Sequence, residues 1–92
     1  MDPNAQSIHI KIVTPVEVLY EGDAQTLSST NSVGRFDILP EHANFITMIE
    51  NQPIDIKTTQ GVKQFSFPLA IIMAAKNQVK VYTDIQDLPK LT

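Results

Sequence analysis

Apolar residues recur at every second position through most of this chain. Ile8, Ile10 and Ile12 alternate with His9, Lys11 and Val13, the pattern of a strand laying one face on a core. Val16, Val18 and Tyr20 continue it past Pro15, with Glu17 on the other side. Glu21-Gly22-Asp23 reads as a turn, because glycine tolerates the positive φ that tight turns demand. Ala24 to Thr30, rich in Ser and Thr, suits a partly exposed strand, and Asn31-Ser32-Val33-Gly34 reads as the next turn. Arg35 to Leu39 is a short strand stopped by Pro40, which removes a ladder donor. Phe45 to Ile49 fits a strand or a brief helix, and its length favours the strand.

Beyond Pro53, Ile54, Ile56 and Thr58 alternate with Asp55 and Lys57. Gln60-Gly61 predicts a hairpin turn into Val62, Gln64 or Phe65, and Phe67. Leu69 to Ala75 is the most continuous apolar run and is predicted to lie buried. Lys76-Asn77-Gln78 turns the chain into Val79, Val81 and Thr83, after which the pattern dissolves. The sum is an all-β chain of about nine or ten short strands, at the spacing expected of a two-sheet sandwich or barrel. No segment carries an amphipathic helical period. There is no internal repeat, low-complexity tract or linker.

Composition narrows the function more than the fold. With 92 residues, 42% of them hydrophobic and 18% charged, the chain makes one domain with a modest core rather than a disordered segment. A net charge of -3 offers no cluster of Lys and Arg for a phosphate backbone, which argues against nucleic acid as a partner. The absence of cysteine removes disulfides and thiolate metal sites from consideration and fits a reducing compartment. No apolar run approaches the ~20 residues that span a bilayer, and Met1 to Gln6 lack the order of a signal peptide. Any membrane association is expected to be indirect.

The residues that could carry chemistry do not assemble into a reacting set. His9 sits on the polar phase of the first strand, an ordinary place for a solvent-facing histidine. His42 follows Pro40 in a turn, and Asp37, Glu41 and His42 match no metal-ligand spacing. Ser7, Ser28, Ser29, Ser32 and Ser66 lack the Gly-x-Ser-x-Gly elbow of a nucleophile. Gly22, Gly34 and Gly61 are too dispersed to cradle a phosphate. Asp37 with Glu41 is the nearest approach to paired carboxylates and reads as two solvated loop acids. No cofactor, no metal and no catalytic residue is expected.

One segment is more specific: Gly34-Arg35-Phe36-Asp37-Ile38-Leu39-Pro40-Glu41-His42-Ala43-Asn44-Phe45-Ile46-Thr47. It resembles the N-terminal domain of the epsilon subunit of rotary, F-type ATP synthases (delta in mitochondria). That family carries Gly-x-φ-Gly-Ile-Leu-Pro-x-His-x-Pro-φ-φ-Thr, with φ apolar, at this place. Gly34, Phe36, Ile38, Leu39, Pro40, His42, Phe45, Ile46 and Thr47 match it. Ile8 to Thr14 resembles the family's first strand, Val18-Leu19-Tyr20-Glu21-Gly22 its second strand and turn, and Val79 to Asp84 its closing strand. The likeness runs nearly ungapped from Ile8 to Ile85. It divides the chain into an N-terminal extension (1–7), an epsilon-like β-sandwich (8–85) and a C-terminal tail (86–92), the tail from Asp84 onward being polar and loosely held.

Three departures stand out. Asp37 replaces the motif's second glycine and Asn44 its proline, both with residues that tolerate positive φ. Pro68-Leu69-Ala70-Ile71 occupies the place of a Gly-Gly pair ahead of a buried strand, so local packing is expected to differ. Typical bacterial members continue into a C-terminal pair of helices that regulate the enzyme and in some members bind ATP. This chain stops soon after Ile85, so neither property is expected of it.

The resemblance implies a flattened sandwich at the foot of a central stalk, gripping the gamma subunit and sitting on the c-ring. The role is non-catalytic, transmitting ion-driven rotation, with the domain peripheral to the cytoplasmic face of the membrane. Carried over by position, Arg35 and the turn through Glu41 and His42 would face the ring or the base of gamma. Thr14, His42 and Thr47 would lie toward gamma. Acidic residues are frequent in the family where Arg35 stands, so the ring would need a matching change of charge. A stand-alone interaction module that has left the rotary complex is the alternative reading, and the altered Gly-Gly region permits it.

Overall fold

A computed structural model describes residues 7–41 and 44–84. Among them are nine strands in two sheets and no helix. One sheet orders its strands β2-β1-β9-β8-β5, with β1 at Ile8–Val13, β2 at Val18–Ala24, β5 at Phe45–Glu50, β8 at Leu69–Ala75 and β9 at Gln78–Thr83. The other runs β4-β3-β6-β7, with β3 at Thr26–Thr30, β4 at Arg35–Ile38, β6 at Pro53–Thr58 and β7 at Gly61–Ser66. The five-stranded sheet is antiparallel except at its centre, where β1 and β9 pair in parallel. The first and last strands thus meet in the middle of one sheet.

The period-two pattern becomes the core. Ile8, Ile10 and Ile12 face inward beside Val79, Val81, Ala70, Ile72 and Ile49. From the opposite sheet come Leu27, Ile38, Ile54 and Ile56. The centre is therefore aliphatic, and the aromatics close its two edges. Phe36 packs on Phe45 with ring centroids 5.2 Å apart where β4 meets β5. Tyr20 packs on Phe65 at 5.4 Å where β2 meets β7, and Phe67 stacks beyond it. Two buried hydroxyls are satisfied by backbone: Ser29 donates to the Pro53 carbonyl and Thr83 to that of Leu69, as burial of a polar group requires.

Two sequence expectations change. Glu21-Gly22-Asp23 is no turn: it lies inside β2, with Gly22 opposite Ile10. Its role is spatial, because a Cβ there would stand 3.1 Å from the Tyr20 hydroxyl. The tyrosine ring covers the bare backbone and fills the space a side chain would take. Gly22→Val is expected to push that ring off Phe65 and lower stability by about 1–3 kcal/mol, measured by urea denaturation.

Leu69 to Ala75 is buried on one side only. Ala70, Ile72 and Ala74 face the core, whereas Met73 and Ala75 are exposed and Leu69 and Ile71 half-buried. The apolar run serves two faces, and only one of them is covered.

Turns set the register. Lys76 and Asn77 both take positive φ, 52° and 63°, in the two-residue connection from β8 to β9. This is the mirror-image turn whose twist matches flanking strands. Asn77 also anchors two neighbours, its carbonyl accepting from the His9 amide and its side-chain oxygen from the Glu41 amide.

Candidate functional site

The outer faces of the two sheets are unlike. On the four-stranded sheet, Ser28, Asp37, Asp55 and Gln64 form one row across the strands. Ser28 donates to Asp37 at 2.6 Å and Gln64 to Asp55 at 2.7 Å. Arg35, Thr30, Thr26 and Lys57 flank this row. Apart from Val62, exposed on edge strand β7, the face is polar and its central row pairs within itself, as on a water-facing sheet surface.

On the five-stranded sheet, the outer half over β5, β8 and β9 is apolar. The register places Met48, Ile71 and Tyr82 side by side, and next to them Ile46, Met73 and Lys80. Ile46 is 68% exposed, Met48 54% and Met73 42%. A shallow hollow lies between Asn44, Ile46, Met73, Ala75, Gln78 and Lys80. Scattered exposed apolar residues are ordinary, but a contiguous group of large ones marks a surface that another molecule covers. Met is well suited to such a place, since its flexible thioether adapts to an irregular partner. β5 is also an edge strand, with neither Lys nor Pro along Phe45–Glu50 to discourage pairing.

Of the residues singled out from the sequence, the described ones, Thr14, Arg35, Glu41 and Thr47, do not gather on this surface. Thr14 half-closes the turn after β1: its hydroxyl accepts from the Val16 and Glu17 amides, and its own amide donates to the Glu17 carbonyl. Thr47 is half-buried and accepts a 2.8 Å hydrogen bond from Asn31, which ties β5 to the other sheet. Both threonines are engaged within the fold. Arg35 opens β4 opposite Thr30, while Ile38 at the far end stands opposite Leu27. Glu41 lies past that far end, exposed, with φ 63°. Arg35 and Glu41 therefore lie at opposite ends of β4, a strand ~10 Å long. His42 lies outside the described residues. Among the described residues no group of His, Asp and Glu has the arrangement to hold a metal ion.

The apolar patch escaped the sequence reading. Its signal was available: the Phe45–Glu50 and Leu69–Ala75 segments are apolar in both phases of the strand period. Such a run fits equally a strand buried on both sides and one whose second face awaits a partner. Only the layering distinguishes them.

Residues 7–86 match the family model of the ATP synthase, Delta/Epsilon chain, beta-sandwich domain. The chain belongs to the ATP synthase delta/epsilon β-sandwich family. It is similar to the ATP synthase epsilon chain of Leptospira borgpetersenii serovar Hardjo-bovis, at 28% identity over 80 residues, covering 87% of this chain and 63% of the relative. It is likewise similar to the ATP synthase epsilon chain of Clostridium novyi, at 28% over 87 residues, covering 94% of this chain and 66% of that one. The chain thus spans somewhat less than two thirds of the length of these relatives. The same fold occurs in chains of solved ATP synthase assemblies. A chain of the Euglena gracilis mitochondrial ATP synthase OSCP/F1/c-ring structure superposes with a TM-score of 0.77 at 11% identity, over 85% of this chain and 51% of that one. A chain of the Tetrahymena thermophila mitochondrial ATP synthase central stalk/c-ring structure gives 0.69 at 16%, over 94% and 82%. No helix among the described residues is long and apolar enough to cross a membrane.

Proposed function

We propose that this delta/epsilon-family domain is a non-catalytic rotor-stalk element of a rotary ATP synthase. It docks on the gamma subunit through the apolar outer face of β5, β8 and β9, and meets the c-ring through the end that carries Arg35. The observation that carries this reading is the contrast between the two sheet faces, one mostly polar with a self-paired central row, the other carrying a cluster of exposed large apolar side chains. A coupling element needs a stiff body, and the two closely packed sheets supply it. It also needs a broad apolar contact to hold a permanent partner, with charges at the rim to set orientation.

The separation of Arg35 from Glu41 divides the work. Arg35 is assigned to the ring, and Glu41, with His42 after it in sequence, to gamma. Thr14 and Thr47 support the site from within by fixing the turn after β1 and the seat of β5. In the assembled enzyme the domain sits peripherally, reaching the membrane only through the ring.

The test is calorimetry of this chain against the gamma subunit of the same organism, followed by assembly of that pair on its isolated c-ring. Wild type is expected to bind gamma at submicromolar Kd. Arg35→Glu is expected to keep that affinity and to weaken retention of the pair on the ring about three- to tenfold, the scale of an exposed charge pair. His42→Ala is expected to weaken the gamma step. A folded protein that fails to bind gamma at high micromolar concentration overturns the reading and leaves a stand-alone sandwich module.

A further inference from the structure

The far half of the same outer face, over β1 and β2, carries a polar constellation that docking does not use. His9 Nδ1 lies 2.8 Å from Asp23 Oδ1, and His9 Nε2 lies 2.8 Å from Glu21 Oε2. Asp23 stands directly opposite His9 in the β1–β2 register, and Glu21 stands opposite Lys11, one diagonal step away. Each ring nitrogen thus has its own carboxylate.

That geometry has one protonation state. An ionised carboxylate only accepts hydrogen bonds, and a neutral imidazole offers one N–H and one lone pair. Both bonds form together only when both ring nitrogens carry protons. With one proton removed, a carboxylate faces a lone pair, and like charges on Glu21 and Asp23 lose the cation between them. Because the two acids hold opposite edges of the ring, they do not converge with it on a point where a single metal ion could sit.

The surroundings leave the pair in control. On its own strand His9 shares the face with Lys11, opposite Glu21. On β9 the residue directly across is Gln78, uncharged, with Lys80 across from Lys11. No third acid joins from either neighbouring strand. The His9 amide is bonded to the Asn77 carbonyl, so the backbone under the ring is held. β2 is different: among the described residues it is an edge strand whose ladder partner is β1 alone.

We propose that His9, Glu21 and Asp23 form a proton-operated clasp, which ties edge strand β2 to β1 while the ring is protonated and frees one carboxylate when it is neutral. The cluster shifts its own titration in the supporting direction. The hydrogen bond to Glu21, then that to Asp23, raises the His9 pKa above its ordinary 6.5, while the same histidine lowers that of Glu21. A raised pKa means the clasp is fully closed below about 6.5 and opens as pH rises through the elevated midpoint. This inference stands apart from the docking reading, since it concerns the free chain.

Imidazole NMR of the free chain across pH 5 to 9 tests it, with backbone amide exchange recorded on the same samples. The expected midpoint lies above 6.5, with both ring nitrogens protonated below it, and Glu21→Gln and Asp23→Asn each lower it. Exchange of the Val18–Ala24 amides, normalised to those of β6, is expected to quicken several-fold on passing the midpoint, and to stay level in His9→Asn. A midpoint at or below 6.5, or one that neither acid variant moves, overturns the clasp. So does a raised midpoint with β2 exchange that tracks β6 throughout.

Discussion

Ile46→Asp combined with Met48→Asp is expected to weaken binding to gamma at least a hundredfold while leaving the fold intact. Both side chains are more than half exposed on the outer phase of β5, so neither contributes much to the core. Covering each by a partner contributes about 1.5–3 kcal/mol at full burial, and a hundredfold loss is only about 2.8 kcal/mol. Aspartate adds the cost of burying an unpaired charge against an apolar partner. The fold bears a smaller load, because poor strand propensity at two exposed positions costs on the order of 1 kcal/mol or less each. Calorimetry reads the first quantity and thermal melting the second. Val62→Asp supplies the control: it is 65% exposed on the outer face of the other sheet, and its affinity for gamma is expected to match wild type. Equal weakening by both variants would move the docking surface off the β5 face.

The second large effect separates two adjacent isoleucines. Ile72→Ala is expected to lower stability by about 2–5 kcal/mol, the usual cost of truncating a fully buried aliphatic side chain. Ile72 is completely buried on the inner face of β8, between Thr47 of β5 and Val81 of β9. Ile71→Ala, one residue earlier and half-buried on the outer face, is expected to cost less than about 1 kcal/mol. In a domain of this size total stability is itself only about 5–14 kcal/mol, so the first variant should melt ~10 °C or more below the second. Chemical denaturation with matched slopes decides it. Equal losses at both positions would mean that β8 is covered on both sides, and the apolar docking face would disappear with that result.

This pair also marks where sequence reasoning stopped. Period-two alternation in Ile8 to Ile12, Ile54 to Ile56 and Val79 to Val81 specified strands and their inward faces, because a slip of one residue would turn every isoleucine into water. Gly34, Gly61 and Lys76-Asn77 announced the turns through the positive φ they adopt. The Gly34 to Thr47 motif pointed to the family, and the match over residues 7–86 agrees with it. Gly22 misled, since a glycine that makes room for Tyr20 looks in sequence like one that makes a turn. His9 looked like a bland surface residue because its two acids arrive from another strand, twelve and fourteen residues away.

What the sequence by itself determined was local: strand identity, inward phase, turn positions and family membership. Each depends on residues within one strand or one turn, where backbone sterics and side-chain period act directly. What only the tertiary structure decided was which strands lie side by side and which faces are left over. β1 meets β9 in parallel across the whole length of the chain, a pairing that no short-range pattern encodes. The apolar face of β5 and β8, the opposite placement of Arg35 and Glu41, and the His9 clasp all follow from that arrangement. An apolar run carries no record of how many of its faces will be covered, because coverage is a property of the layers around it.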